Sequence, residues 1–224
     1  MSTAIVIAVL SPKGGVGKST LTMNIARGLQ LLDGAHEVLI IDGDPQGTAR
    51  DWRDAQGEDS DLPTVVGIDR PTLHREVPRV ARSFDYIIID GAAKLQEMSV
   101  SALKCADVVL IPVQPSAADI WASADLVDLI SARQSVTNGR PRAAFVVSRQ
   151  IVGTRLAVEA RGAVEEYGLP VFEGCTSQRV AYTEALSRGL TVLDTEPRGK
   201  AAGEIRAIVN ELVLFCHVKE GEYA

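Results

Sequence analysis

Apolar runs without polar alternation recur along the chain, and between them lie stretches whose apolar residues repeat at helical spacing. The runs predict strands at Ala4–Leu10, Glu37–Ile41, Thr64–Gly67, Tyr86–Asp90, Val108–Val113 and Ala143–Ser148, with a short seventh near Leu169–Phe172. Cores such as Val38-Leu39-Ile40-Ile41 are apolar at every position, as in parallel strands covered on both faces. The intervening patterns predict helices at Gly17–Leu32, Ala49–Ala55, Pro71–Arg82, Glu97–Cys105, Asp119–Arg133, Arg155–Tyr167 and Gln178–Arg188. A last helix, about Gly199–Val218, carries Ile205, Ile208, Val209, Leu212, Val213 and Cys216 on one stripe. Repeated strand–helix–strand units predict a doubly wound, mainly parallel α/β sheet flanked by helices, with ligands at the carboxyl ends of the strands. The 224 residues suit one such domain, spanning 1–224.

Composition narrows the function. The net charge of −6 argues against coating nucleic acid by bulk charge, so any DNA contact needs a local basic patch. No apolar run approaches the ~20 residues that span a bilayer, and the first run is used as a strand, so neither a membrane span nor a signal peptide is expected. The three cysteines, Cys105, Cys175 and Cys216, form no CxxC pair and read as packed thiols in a reducing cytoplasm. The three histidines (His36, His74, His217) stand in unrelated contexts, so no His-based metal site is expected. The acid-rich end, Lys219 to Ala224, would not draw the last helix to anionic lipid, so that helix is expected to pack on the sheet.

The strongest chemical signal follows the first strand: Ser11-Pro12-Lys13-Gly14-Gly15-Val16-Gly17-Lys18-Ser19-Thr20. Glycines between a buried strand and a helix let backbone N–H groups face phosphate oxygens, and the helix N-terminus adds its positive dipole end. Lys18 then reaches the β- and γ-phosphates, and the Ser19 hydroxyl can ligate Mg2+. A second carboxylate-bearing turn, Asp42-Gly43-Asp44-Pro45-Gln46-Gly47, closes the second strand. Alone it reads as an Asp-Pro turn; beside a phosphate cradle its two carboxylates can address a metal-bound phosphate and its attacking water. The fourth strand ends Ile87-Ile88-Ile89-Asp90, the Walker B form, whose carboxylate holds Mg2+ through a coordinated water.

The loop departs from G-x-x-x-x-G-K-[ST], with Pro12 in place of the first glycine and an added Lys13. Two neighbouring ammonium groups repel unless a polyanion lies between them. In this the chain resembles the deviant Walker A P-loop ATPases of the ParA/MinD family, and Asp90-Gly91-Ala92-Ala93 is similar to the small ParF-like plasmid-partition group. The resemblance implies that Lys13 reaches the nucleotide of a facing subunit, Asp44 orients the hydrolytic water and Asp42 supports Mg2+ and its water shell. It implies ATP/ADP and Mg2+ as cofactors, held by Lys13 through Thr20 with Ser19, Asp42 and Asp90 at the metal. It places a proline-rich segment (Ile111 to Asp119) near the nucleotide and the dimer interface, where Asp119 or Ser116 can cap the next helix. It also puts a residue after the sixth strand close to the adenine. There Arg149 either stacks on the base or lies on the surface.

The implied activity is partition: an ATP-dependent homodimer on non-specific DNA at the nucleoid, released when a centromere-binding or cargo adaptor protein stimulates hydrolysis. Arg188, Arg198, Lys200 and Arg206 are candidates for the DNA patch. Positioning of a protein cargo such as a carboxysome is the alternative. A MinD-like membrane regulator is disfavoured by the acidic tail, and an ATP-dependent ligase by the short chain. The spacing of the cysteines also speaks against the iron–sulfur reductases that share the loop.

Overall fold

The computed structural model describes residues 4–34, 36–57, 60–93 and 96–217, with backbone alone at 155–158. Its strands are β1 (Ile5–Val9), β2 (Val38–Asp42), β3 (Thr64–Gly67), β4 (Tyr86–Asp90), β5 (Val108–Val113) and β6 (Arg142–Val147). They form one six-stranded sheet in the order β3-β2-β4-β1-β5-β6, and every pairing is parallel. The helices are α1 (Lys18–Gln30), α2 (Thr48–Asp54), α3 (Leu73–Val80), α4 (Gln96–Leu103), α5 (Ala117–Ala122), α6 (Ala124–Gln134), α7 (Arg155–Glu165), α8 (Val180–Ser187), α9 (Val192–Thr195) and α10 (Lys200–His217).

Although the strand cores are apolar throughout, their side chains still divide by the pleat. Ile88 joins one buried cluster with residues of α1, α9 and α10. Its neighbours Ile87 and Ile89 join a second cluster with residues of α3, α4 and α6. Both faces are therefore covered, as the uninterrupted apolar runs require. Ile88 is fully buried in the middle of the sheet. Ile88→Val is expected to cost about 1 kcal/mol, read as a lower urea midpoint with an unchanged slope.

The expected seventh strand is the clearest difference. Residues near Leu169–Phe172 make only a parallel bridge, Val171 to Phe145. Phe145 N–H donates to the Pro170 carbonyl at 2.8 Å and Phe172 N–H to the Phe145 carbonyl at 2.9 Å. Pro170 has no N–H of its own. The carbonyls of Val171 and Phe172 accept from the Arg161 guanidinium, each at 3.2 Å, so the ladder does not propagate. The helix expected over Asp119–Arg133 divides into α5 and α6 at Ser123, whose N–H bonds back to the Ile120 and Trp121 carbonyls. Ser116 occupies the N-cap of α5 without a side-chain bond. The last helix packs as expected: Ile205, Ile208, Val209 and Leu212 of α10 lie in the core beside α1. Among the described residues no helix is long and apolar enough to cross a membrane; the acidic end, 219–224, lies outside them.

Candidate nucleotide site

The loops at the carboxyl ends of β1, β2, β4 and β6 meet around a cavity of about 610 Å³. Gly15 and Gly17 hold positive φ angles of 76° and 92°, the left-handed conformation that L side chains resist. Gly17 is the N-cap of α1 and supplies no side chain to it, so the first-turn N–H groups remain for a ligand. Gly14 and Gly15 are exposed, and a Cβ on either would meet nothing, so this rim is open.

Three side chains brace the loop from behind. Ser148 Oγ donates to the Val16 carbonyl at 2.7 Å. Gln114 Nε2 and Arg149 Nη1 both donate to the Gly15 carbonyl, at 2.9 and 2.7 Å. Arg149 itself has φ 53°, an uncommon backbone state for a residue with a side chain, and its N–H donates to Thr176 Oγ1 at 3.1 Å. The structure thus sets Arg149 on the cavity wall with its guanidinium on the phosphate loop.

Lys18 is buried, and its Nζ donates to the Lys13 carbonyl at 2.9 Å, folded back within the loop. Burial pulls its pKa down; Asp90 and Asp44 oppose the shift without cancelling it. Lys13 points elsewhere. Its side chain is 45% exposed, and its Nζ stands 4.0 Å from Asp119 Oδ1 of α5. The two lysines flanking the glycines therefore occupy different environments, one inside the cradle and one at its rim.

The carboxylates also differ. Asp44 lines the cavity, and its Oδ1 accepts from Gln46 N–H at 3.0 Å, so the turn geometry and the cavity-facing placement coexist. Asp42 is fully buried and its oxygens are in use: Oδ1 accepts from Asp44 N–H at 3.0 Å and Oδ2 from Arg50 N–H at 3.1 Å. Asp90 is fully buried with both oxygens lacking a hydrogen-bond partner among the described residues. Burial pushes its carboxyl up to about 7, with Asp42 and Asp44 adding to the shift; the Ser19 hydroxyl and Lys18 pull it back. A buried, unpaired carboxylate beside a hydroxyl on α1 is a donor set that fits a hard cation carrying its own waters.

The opposite wall is formed by Thr176 to Val180 with Tyr182 and Thr183. The expected helix Gln178–Arg188 begins only at Val180, because Gln178 N–H donates to Gln150 and Arg179 is extended. Arg179 forks onto Glu204 Oε1 of α10 at 2.9 and 2.8 Å, while Glu204 Oε2 accepts from Ser177 N–H at 3.1 Å and Tyr182 OH at 2.9 Å. Burial alone would raise the Glu204 carboxyl, but these donors hold it below the ordinary range. Helix α9 is a further element that the apolar pattern does not predict, although Thr191-Val192-Leu193-Asp194 has the spacing of its capping box. Arg188, Arg198, Lys200 and Arg206 are all exposed and outside any ion pair among the described residues. Cys105, Cys175 and Cys216 are free thiols, and no group of metal-ligating side chains of three or more occurs among the described residues.

Residues 7–192 match the family described as the CobQ/CobB/MinD/ParA nucleotide binding domain. The maintenance of carboxysome distribution protein A of Halothiobacillus neapolitanus is 30% identical over 215 residues, covering 94% of this chain and 97% of that protein. The chromosome-partitioning ATPase Soj of Thermus thermophilus is 27% identical, over 92% of this chain and 94% of its own. Among solved structures, a complex of Cyanothece McdA with ATP superposes with a TM-score of 0.73 at 16% identity, over 96% of this chain and 97% of that one.

Proposed function

The chain belongs to the CobQ/CobB/MinD/ParA family of nucleotide-binding domains, and on that footing we propose that it is a Mg2+-dependent ATPase whose nucleotide state switches it between monomer and homodimer. One observation carries the reading: the glycine cradle, the buried Lys18 ammonium, Asp44 and the unpaired Asp90 carboxylate converge at a single cluster of strand ends. A triphosphate on the first turn of α1 gives Lys18 the counter-charge it lacks inside the loop. Ser19 and Asp90 would hold the cation, with Asp42 behind them supporting its water shell. When bound, Mg2+ supplies charge neutralisation at the β- and γ-phosphate oxygens.

Asp44 orients a water for in-line attack on the γ-phosphorus. The bond from that phosphorus to the bridging oxygen breaks, and ADP and phosphate leave. Lys18 stabilises the charge that moves onto the transferring group. Lys13, half-exposed at the rim, reaches the nucleotide of the second copy, so ATP closes the dimer and hydrolysis opens it.

Lys13→Gln is the direct test. It is expected to keep ATP-analogue binding within roughly threefold and to weaken analogue-dependent dimerisation by about tenfold or more, as for loss of one charge-assisted contact. Sedimentation with a non-hydrolysable analogue reads both, and an unchanged dimer would overturn the cross-subunit role.

For the output, we read the ATP-bound dimer as a non-specific DNA binder at the nucleoid, using Arg188, Arg198, Lys200 and Arg206. An adaptor protein stimulates hydrolysis and releases the dimer. ATP-requiring DNA binding that weakens steeply with salt is the supporting result. The full-length similarity to the Halothiobacillus carboxysome-distribution protein favours a protein cargo; the similarity to Soj keeps DNA cargo as the second reading. Stimulation of hydrolysis by an adaptor purified with its cargo decides between them.

A further inference from the structure

Arg50 belongs to none of the motifs above, yet it touches two of their residues. It is the third residue of α2, and its N–H donates to Asp42 Oδ2, so Asp42 caps a helix whose own N-cap, Gly47, has no side chain. The Arg50 side chain then turns back over the same segment. Nε stands 3.4 Å from Asp42 Oδ2, and Nη2 donates to the Asp44 carbonyl at 3.1 Å. Two glycines shape its seat: a Cβ on Gly47 would stand 3.2 Å from Nη2, and one on Gly67 of β3 would stand 2.9 Å from Cδ. Helix α2 gives it a firm base, since Trp52 is buried and donates to the Leu190 carbonyl at 3.1 Å. Among the described residues Arg50 is the ion-pair partner of the fully buried Asp42. It does not line the nucleotide cavity.

From this geometry we propose that Arg50 is a positioning residue for hydrolysis. By gripping Asp42 and the Asp44 carbonyl at once, it holds both ends of Asp42-Gly43-Asp44, so that the Asp44 carboxylate meets the attacking water in one place. It acts through those residues and makes no contact of its own with the nucleotide. The inference rests on the reading of Asp44 given above.

Arg50→Gln removes the charge and the fork. It is expected to lower kcat about tenfold, as for modest misplacement of a catalytic group, while KM for ATP and the affinity for a non-hydrolysable analogue stay within roughly twofold. Hydrogen exchange at the Asp44 and Gly47 amides should quicken. Gly67→Ala keeps the Arg50 side chain but crowds its Cδ at 2.9 Å and displaces it; the same parameter, kcat, should fall with affinity preserved. The proposal is overturned if kcat of Arg50→Gln stays within roughly twofold of wild type. It is equally overturned if analogue affinity falls as far as kcat, or if exchange at Asp44 is unchanged. Should Asp44→Ala hydrolyse at the normal rate, the reading of the site fails first. A slow Asp44→Ala beside a normal Arg50→Gln would sink the Arg50 role alone.

Discussion

Asp44→Ala is expected to slow ATP hydrolysis by about 10²- to 10³-fold, the range for removing a group that positions or deprotonates a nucleophile. Binding should survive, because on the proposed reading Asp44 contacts the water and the cradle contacts the phosphates. Its backbone amide still caps Asp42, and only the side-chain bond from Gln46 N–H is lost. The ATP-bound dimer should therefore outlive that of the wild type by a comparable factor. Single-turnover phosphate release gives the rate, and subunit exchange between labelled dimers gives the lifetime. Normal hydrolysis in this variant would remove Asp44 from the chemistry.

Asp90→Asn should act in two opposite directions. In the nucleotide-free protein the folded Asp90 carboxyl sits near about 7, raised by burial from an ordinary 3.8. Between those values the folded state holds a proton that the unfolded chain has released, so this group makes stability fall as pH rises, levelling off above about 7. Asparagine is neutral throughout and escapes that loss. Relative to wild type, the variant should gain about 3 kcal/mol of nucleotide-free stability between pH 5 and pH 8, read from denaturant midpoints at the two values. With ATP and Mg2+ the sign reverses. The ionised form is then the useful one, hydrolysis in Asp90→Asn should drop about 10²-fold, and in the wild type Mg2+ should bind more weakly as pH falls through about 7. A variant whose stability relative to wild type is the same at pH 5 and pH 8 would show that burial does not perturb this carboxyl.

The parts of the molecule legible in the sequence are those written in consecutive residues. The apolar runs located the six strands of the described residues because parallel strands buried on both faces leave no polar positions to obscure them. The cradle was legible because glycine, lysine and serine at fixed spacing have few other uses after a buried strand. Pairings between distant residues were not legible. Arg179 and Glu204 are ordinary surface residue types, and only the packing of α10 brings them together across the site. Arg50 reads as one more polar residue of a short helix until Gly67, on the neighbouring strand, makes room for it. The failed seventh strand has the same origin, since its carbonyls are claimed by Arg161 from α7.

The segment that lies against β6 in place of a strand also closes off that side of the sheet. Phe145 spends its outward N–H and carbonyl on Pro170 and Phe172. The opposite margin, β3, offers only four residues. Neither flank presents a long row of free amides to a passing chain. Copies of this protein are thereby steered away from joining through extended backbone.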